Sequence, residues 1–151
     1  MSVFLYISIT IVTFVVMECV AWLSHKYLMH GFLWFFHEDH HQHNSNIKPF
    51  EWNDFFFLLF ALPGIVLLAI GIESFSIPFW IGLGITIYGF AYFLIHDVFI
   101  HRRLKWLKNI DSSYFRAIRR AHKIHHKHFH KEHGECFGML WVPLKYYKKN
   151  E

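Results

Sequence analysis

The sequence predicts an all-α integral membrane helical bundle of about three spans, on three observations. The 151-residue chain is 54% hydrophobic and 21% aromatic, with positive mean hydropathy, which is a membrane composition. It holds three nearly uncharged stretches, each near the ~20 residues that a helix needs to cross the hydrocarbon core. Its histidines are ordered rather than scattered. The length leaves room for about one domain, so residues 1–151 are read as a single unit.

Taken in order, the first expected span is residues 2–23, whose only charge is Glu18. It is not read as a cleaved signal, because it has neither a basic n-region nor a small-residue cleavage site. The second span is 55–72, without charge; Pro63 and Gly64 interrupt it and predict a kink, which a lipid-buried helix tolerates when neighbours satisfy the freed carbonyls. The third is about 75–95, also uncharged, with Pro78 near its start, where proline is tolerated.

Lys and Arg orient this bundle. None precedes Lys26; Lys26 and Lys48 lie between the first two spans, the link around Glu73 has none, and the other thirteen follow His96. By the positive-inside rule, segments 24–54 and 96–151 face the cytoplasm. From His96 onward there are thirteen basic and five acidic residues, a balance of +8. Membrane orientation accounts for that excess, and no nucleic-acid motif accompanies it. A basic surface also suits anionic headgroups or an acidic electron-carrier protein. Cys19 in a span and Cys136 in the tail predict neither a disulfide nor a thiolate zinc site.

Ten of the histidines state one pattern twice: a pair spaced H-x4-H, then a triplet H-x2-H-H. The first statement is His25 and His30, then His37, His40 and His41; the second is His96 and His101, then His122, His125 and His126. All ten fall on the side that the cations assign to the cytoplasm, although the histidines played no part in that assignment. His43, His128, His130 and His133 lie outside the pattern and are read as non-ligands.

Helical geometry supports the triplets. On a helix over Ser112–His128, with N-cap oxygens from Asp111, Ser112 or Ser113, the residues Phe115, Ile118, His122, His125 and His126 share one arc, and Arg116, Arg120, Lys123 and Lys127 oppose it. This helix is expected to lie along the membrane surface as a lid. His37, His40 and His41 share a face of a short helix, with Glu38 and Asp39 turned away. The H-x4-H pairs fit less well, since residues five apart on an α-helix diverge by about 140°. A helix ending at Gly31 would relax that constraint.

Glu18, Asp54 and Asp97 are candidates to orient ligand histidines through the second ring nitrogen. A carboxylate within a span is costly enough to be a functional candidate, and Glu18 lies two turns before His25 on nearly the same face. The bland reading, a hydrogen bond between helices, stands equal beside it. Ten imidazoles exceed what one ion accepts, so two ions sharing ligands from all four boxes are expected. Imidazole alone does not choose among zinc, copper, iron and nickel.

The runs His25-Lys-Tyr-Leu-Met-His30-Gly31, His37-Glu-Asp-His40-His41, Phe50-Glu-Trp-Asn-Asp54, His96-Asp-Val-Phe-Ile-His101-Arg102 and His122-Lys-Ile-His125-His126 closely resemble bacterial beta-carotene hydroxylases, within the fatty acid hydroxylase superfamily of membrane di-iron enzymes. Lys131-Glu132 and Phe137-Gly138 continue the likeness over nearly the whole chain. The resemblance implies two non-haem iron ions held by the ten patterned histidines, O2 as co-substrate, and hydroxylation at carbon 3 of each beta-ionone ring, giving zeaxanthin by way of cryptoxanthin. It implies no catalytic side chain beyond the metal ligands, since the metal carries the hard step, and a bacterial inner-membrane setting.

The protein's task is then positioning. A polyene is expected to lie among the spans with one ring at the cytoplasmic edge, walled by Phe32, Trp34, Phe35, Phe36, Phe90, Tyr92 and Phe93. No G-x-G-x-x-G turn, haem motif or iron–sulfur motif is present, so electrons come from outside; the resemblance implies a ferredoxin-like donor. Oxygenation of a fatty acyl chain, a sterol or another carotenoid position is the alternative. A non-enzymatic metal carrier is more remote, because it would place ligands at mid-membrane rather than beyond the span ends.

Overall fold

The structure, a computed structural model, describes residues 2–42, 50–104, 106–107, 109–128 and 134–148. His43, His130, His133, Lys131 and Glu132 lie outside these. Helix α1 (Val3–Leu23) runs on into a π-helical segment, Ser24–Phe32, followed by α2 (Trp34–His41). Helices α3 (Asp54–Gly71) and α4 (Ile77–Phe93) form a hairpin, and α4 runs on into a second π-helical segment, Leu94–Ile100. Helix α5 (Ser113–His125) and a 3-10 turn at Leu144–Tyr146 complete an all-helical architecture, with no strand among the described residues.

Three helical runs, Val3–Phe32, Asp54–Gly71 and Ile77–Ile100, are long and apolar enough to cross a membrane. Their outer faces leave Phe4, Val12, Leu58, Leu62 and Ile70 exposed, an arrangement suited to lipid rather than water. This is a membrane protein. The helical backbone continues past residues 23 and 95, because the π turns keep its hydrogen bonds closed through His25–His30 and His96–Ile100. Pro63 sits inside α3, which remains one helix from Asp54 to Gly71.

Helix α4 packs between α1 and α3, and glycine makes that possible. A Cβ at Gly84 would lie 2.7 Å from Thr10 O on α1, and one at Gly82 would lie 2.8 Å from Gly64 O on α3. In lipid, helices gain from backbone approach and dispersion rather than from water expulsion, so small residues mark the contact. Met17 and Ala21 of α1 pack there with Tyr88 of α4.

Outside the spans, α5 builds a second core. Ala117, Ile118 and Ala121 pack against Phe99, Met139, Val142 and Tyr146. Ser112 Oγ caps α5 by accepting from Phe115 N at 3.3 Å. The helix stops at His125, three residues short of the expected end, though His126 N still bonds His122 O at 3.0 Å. Arg116, Lys123 and Lys127 are exposed as expected. Arg120 departs from that face: it donates to the carbonyls of Tyr146 and Lys148, fastening the C-terminal turn.

Candidate metal centre

Three short-range devices aim the histidines. On α2, the i, i+3, i+4 spacing buries His37, His40 and His41 together. On α5, the same spacing buries His122 and His125, with His126 in the C-cap. The H-x4-H pairs sit on the two π-helical segments, His101 as the cap of the second, where i→i+5 hydrogen bonding returns residues five apart to the same side. His101 N bonds His96 O at 2.9 Å. The ring centroids of His25 and His30 lie 5.1 Å apart, and those of His96 and His101 lie 4.6 Å apart. The 140° divergence belongs to an α-helix, and this backbone is wound more widely. Gly31, with non-helical torsions, then turns the chain into α2.

Nine of the ten histidines gather into two groups that could each hold a metal ion. One is His25, His30, His37, His41 and His125; the other is His40, His101, His122 and His126, with the ligand atoms of each group within 4.8 Å of one another. The grouping exchanges one residue between the repeats. Each triplet keeps its first and third histidines with its own pair and gives its middle one, His40 or His125, to the other group. By this correspondence His96 is the counterpart of His25. Its ring lies outside the 4.8 Å set but 4.8 Å from His40, 4.6 Å from His101 and 5.0 Å from His122, centroid to centroid. The stacked rings of His41 and His126, 4.4 Å apart, join the two groups.

The hydrogen bonds decide which nitrogens point inward. His25 Nδ1 lies 2.9 Å from Phe137 O, His37 Nδ1 2.6 Å from Asn53 Oδ1, and His125 Nδ1 2.9 Å from Glu135 O. These oxygens only accept, so Nδ1 carries the proton and Nε2 presents a lone pair. Likewise Glu51 Oε2 receives His40 Nδ1 at 3.0 Å, and Asp97 Oδ2 receives His96 Nδ1 at 3.2 Å. Yet His25 Nε2 faces His37 Nε2 at 3.0 Å, two acceptors with no proton between them. His40 Nε2 is buried and meets no hydrogen-bond partner among the described residues. Converging lone pairs without donors are what a cation satisfies, and a second nitrogen held by carbonyl or carboxylate is the usual support of a metal-binding imidazole. The residues fit a metal.

Electrostatics agree. Burial first, and neighbouring imidazoles second, hold His40 and His122 well below the ordinary histidine value. Burial lowers His37 against the opposing bond to Asn53, and pushes His125 down to about 3. These four rings stay neutral, the form that metals bind.

A cavity of about 370 Å³ opens onto this centre. Its walls come from α1, α3 and α4, among them Met17, Phe56, Phe60, Ile85 and Tyr88, and it reaches His25 and His96. Phe90, Tyr92 and Phe93 line it as expected. Four other wall candidates do not. Phe32 and Phe35 are exposed, Trp34 packs on the rings of His30 and His41, and Phe36 stacks on Phe55. They follow the Gly31 turn, which carries them away from the bundle interior.

The carboxylate candidates separate. Asp97 touches His96 directly. Asp54 meets no histidine among the described residues; it pairs with Arg103 at 2.7 Å and accepts from Glu51 N at 3.0 Å. Glu18 corrects the reading that it orients His25. Its carboxylate accepts from Tyr88 OH and from the backbone N–H groups of Met139, Leu140 and Trp141, at 2.8–3.0 Å. It pins the loop whose Phe137 carbonyl receives His25 instead. Glu51, Asn53, Arg103 and the two carbonyls escaped the sequence reading; the Phe50–Asp54 run and Phe137 were noticed, but nothing in spacing alone says which acceptor meets which ring.

An apolar helical bundle with two imidazole clusters beneath an apolar cavity defines a class: membrane proteins built to carry out metal-assisted chemistry on a lipid-soluble molecule. The family model described as fatty acid hydroxylase matches residues 10–143. The beta-carotene hydroxylase of Paracoccus sp. (strain PC1) is 34% identical over 136 residues, covering 89% of this chain and 83% of that protein. That of Pantoea ananas is 37% identical over 135 residues, covering 89% and 76%. The chloroplastic beta-carotene 3-hydroxylase of Oncidium hybrid cultivar is 42% identical over 137 residues, 88% of this chain and 44% of that one. No solved structure matches. The chain belongs to the fatty acid hydroxylase family and is a hydroxylating oxygenase.

Proposed function

We propose that this chain hydroxylates carbon 3 and carbon 3′ of the beta-ionone rings of beta-carotene, giving beta-cryptoxanthin and then zeaxanthin. The observation that carries the reading is the apolar cavity ending on His25 and His96, one from each repeat of the histidine pattern. The names of the relatives supply the substrate. The ten patterned histidines would hold two iron ions, which would activate O2 as the oxidant, chemistry that no side chain here supplies. Each turnover takes one C–H bond, one O2, two electrons and two protons to one C–OH and one water.

The chain's own residues position and exclude. Phe56, Phe60, Ile85 and Tyr92 surround the apolar ring and keep water from the reacting carbon. The acceptors behind His25, His37, His40, His96 and His125 fix each ring's tautomer and aim. Electrons arrive from a ferredoxin-like donor drawn to the basic tail. The site faces the cytoplasm of a bacterial inner membrane, a setting supported by the Lys and Arg distribution.

Expression in cells that accumulate beta-carotene, followed by pigment chromatography, tests the reading. Zeaxanthin is expected from the parent chain and none from His40→Ala or His125→Ala, each with reduced bound iron. Unmodified carotene despite membrane-inserted protein and a working donor would remove the substrate assignment.

A further inference from the structure

We infer that the loop from Phe137 to Leu144 is seated in the lipid leaflet on the histidine side, held down by Glu18, with Trp141 and Leu144 turned into the acyl chains. This rests on the three apolar runs as membrane spans and holds for any substrate. Glu18 fixes how deep the loop lies. It stands five residues before Leu23, the end of α1, about 7.5 Å along the axis at 1.5 Å per residue. Its carboxylate accepts from the backbone N–H groups of Met139, Leu140 and Trp141. Tyr88, which donates to the same carboxylate, stands equally far before Phe93, the end of α4. Residues 139–141 therefore lie beside the spans, not beyond their ends. Lys26 marks the level above them, with Nζ 5.0 Å from the Trp22 ring centroid and 5.8 Å from that of Phe137, where a lysine after an apolar run reaches the headgroups. From Phe137 to Trp141 the chain descends into the membrane.

The loop is built for that setting. Irregular backbone at membrane depth must lie against protein and have its polar groups met there. A Cβ at Gly138 would lie 2.8 Å from Glu18 Oε1 and 3.6 Å from Trp22 Cδ1, so the loop backbone rests directly on α1. Beyond the three N–H groups on Glu18, Leu140 O accepts from Tyr114 OH at 2.9 Å and Phe137 O receives His25 Nδ1. A loop in water needs no carboxylate for this, because water meets the same groups; a loop in lipid does, which accounts for a charge inside a span. Its side chains sort accordingly. Phe137, Met139 and Val142 are buried, while Trp141 is 80% and Leu144 82% exposed, at the depth where Val15 and Val16 of α1 also face outward. Tryptophan is favoured at that boundary. Glu135 and Phe137, whose carbonyls receive His125 and His25, stand at the head of the loop, so its seating also fixes the aim of both rings.

The test uses the full chain in phosphatidylcholine vesicles, with Cys19→Ala and Cys136→Ser removing the native thiols. A nitroxide label is attached in turn through Trp141→Cys, Leu144→Cys, Leu62→Cys and Lys123→Cys, the last two being outward-facing positions on α3 and α5. Electron paramagnetic resonance then compares relaxation by oxygen, which concentrates in the bilayer, with relaxation by a water-soluble nickel chelate, which is excluded from it. Labels at 141 and 144 are expected to behave like the one at 62, relaxed by oxygen with loss of the nickel effect, and unlike the one at 123. Nickel relaxation at 141 and 144 equal to that at 123 would place the loop in water and overturn the proposal. Shielding from both agents would mean that protein, such as a second copy of this chain, covers the patch, and would overturn it equally. Should the thiol-free chain fail to insert, native protein and Trp141→Phe are compared by fluorescence in vesicles brominated along the acyl chain. The emission lost in the variant should be quenched by the bromines and not by iodide in the water; the opposite result sinks the proposal.

Discussion

At the residue scale, burial has turned basic imidazoles into neutral ones. His125 is pushed from 6.5 to about 3, and His37, His40 and His122 move in the same direction. Between those values the unfolded chain binds protons that the folded chain refuses. The metal-stripped protein should therefore keep its full stability above about pH 6.5 and lose it progressively as pH falls toward 3. Thermal unfolding of chelator-treated protein measures this, and an unfolding midpoint that stays flat from pH 7.5 to 4.5 would contradict it. Glu18 offers a second residue-level test. It holds three backbone N–H groups and Tyr88, so Glu18→Ala should cost more than one charge-assisted hydrogen bond, about 1.5–3 kcal/mol. It should also let His25 lose the Phe137 carbonyl, read as weaker iron retention.

At the element scale, winding decides what spacing alone leaves open. The triplets were legible because α2 and α5 are ordinary α-helices, and i, i+3, i+4 means one face on any such helix. The pairs resisted the same treatment. His25 to His30 and His96 to His101 share a side only on a π turn, and a local sequence does not announce that turn, since it depends on packing at the span ends. Helix contact is similarly specific. Gly84→Leu would drive its Cβ into Thr10 O and Thr13, separating α4 from α1, with a cost of at least about 1–3 kcal/mol. The readout is the melting temperature in detergent beside that of an outward-facing control such as Leu62→Ala.

At the scale of the whole molecule, the cavity joins span packing to chemistry. Gly89 lines it, and a Cβ there would meet nothing within 4 Å, so a side chain at this position would project into open space. Gly89→Phe should fill the passage and reduce carotene hydroxylation by about 10²-fold or more, with the iron content unchanged. Undiminished zeaxanthin from that variant would show that the substrate takes another route. The same cavity explains why only Phe90, Tyr92 and Phe93 of the expected aromatic wall line it. Those on α4 border the cavity, although Phe90 is largely exposed, while those beyond Gly31 have already left it.

By itself the sequence determined the helical class, the three apolar runs, the histidine inventory and the resemblance that the family match bears out. Each follows from local periodicity, composition or motif, which need no knowledge of distant neighbours. Only the tertiary structure decided the exchange of His40 and His125 between groups, the acceptor behind each ring, and the diversion of Glu18 to the 139–141 loop. Those are contacts between residues far apart in the chain, set by how the three apolar helical runs, α2 and α5 close on one another. A hydrogen-bonding side chain carries its chemistry in the sequence, but its partner is chosen by packing.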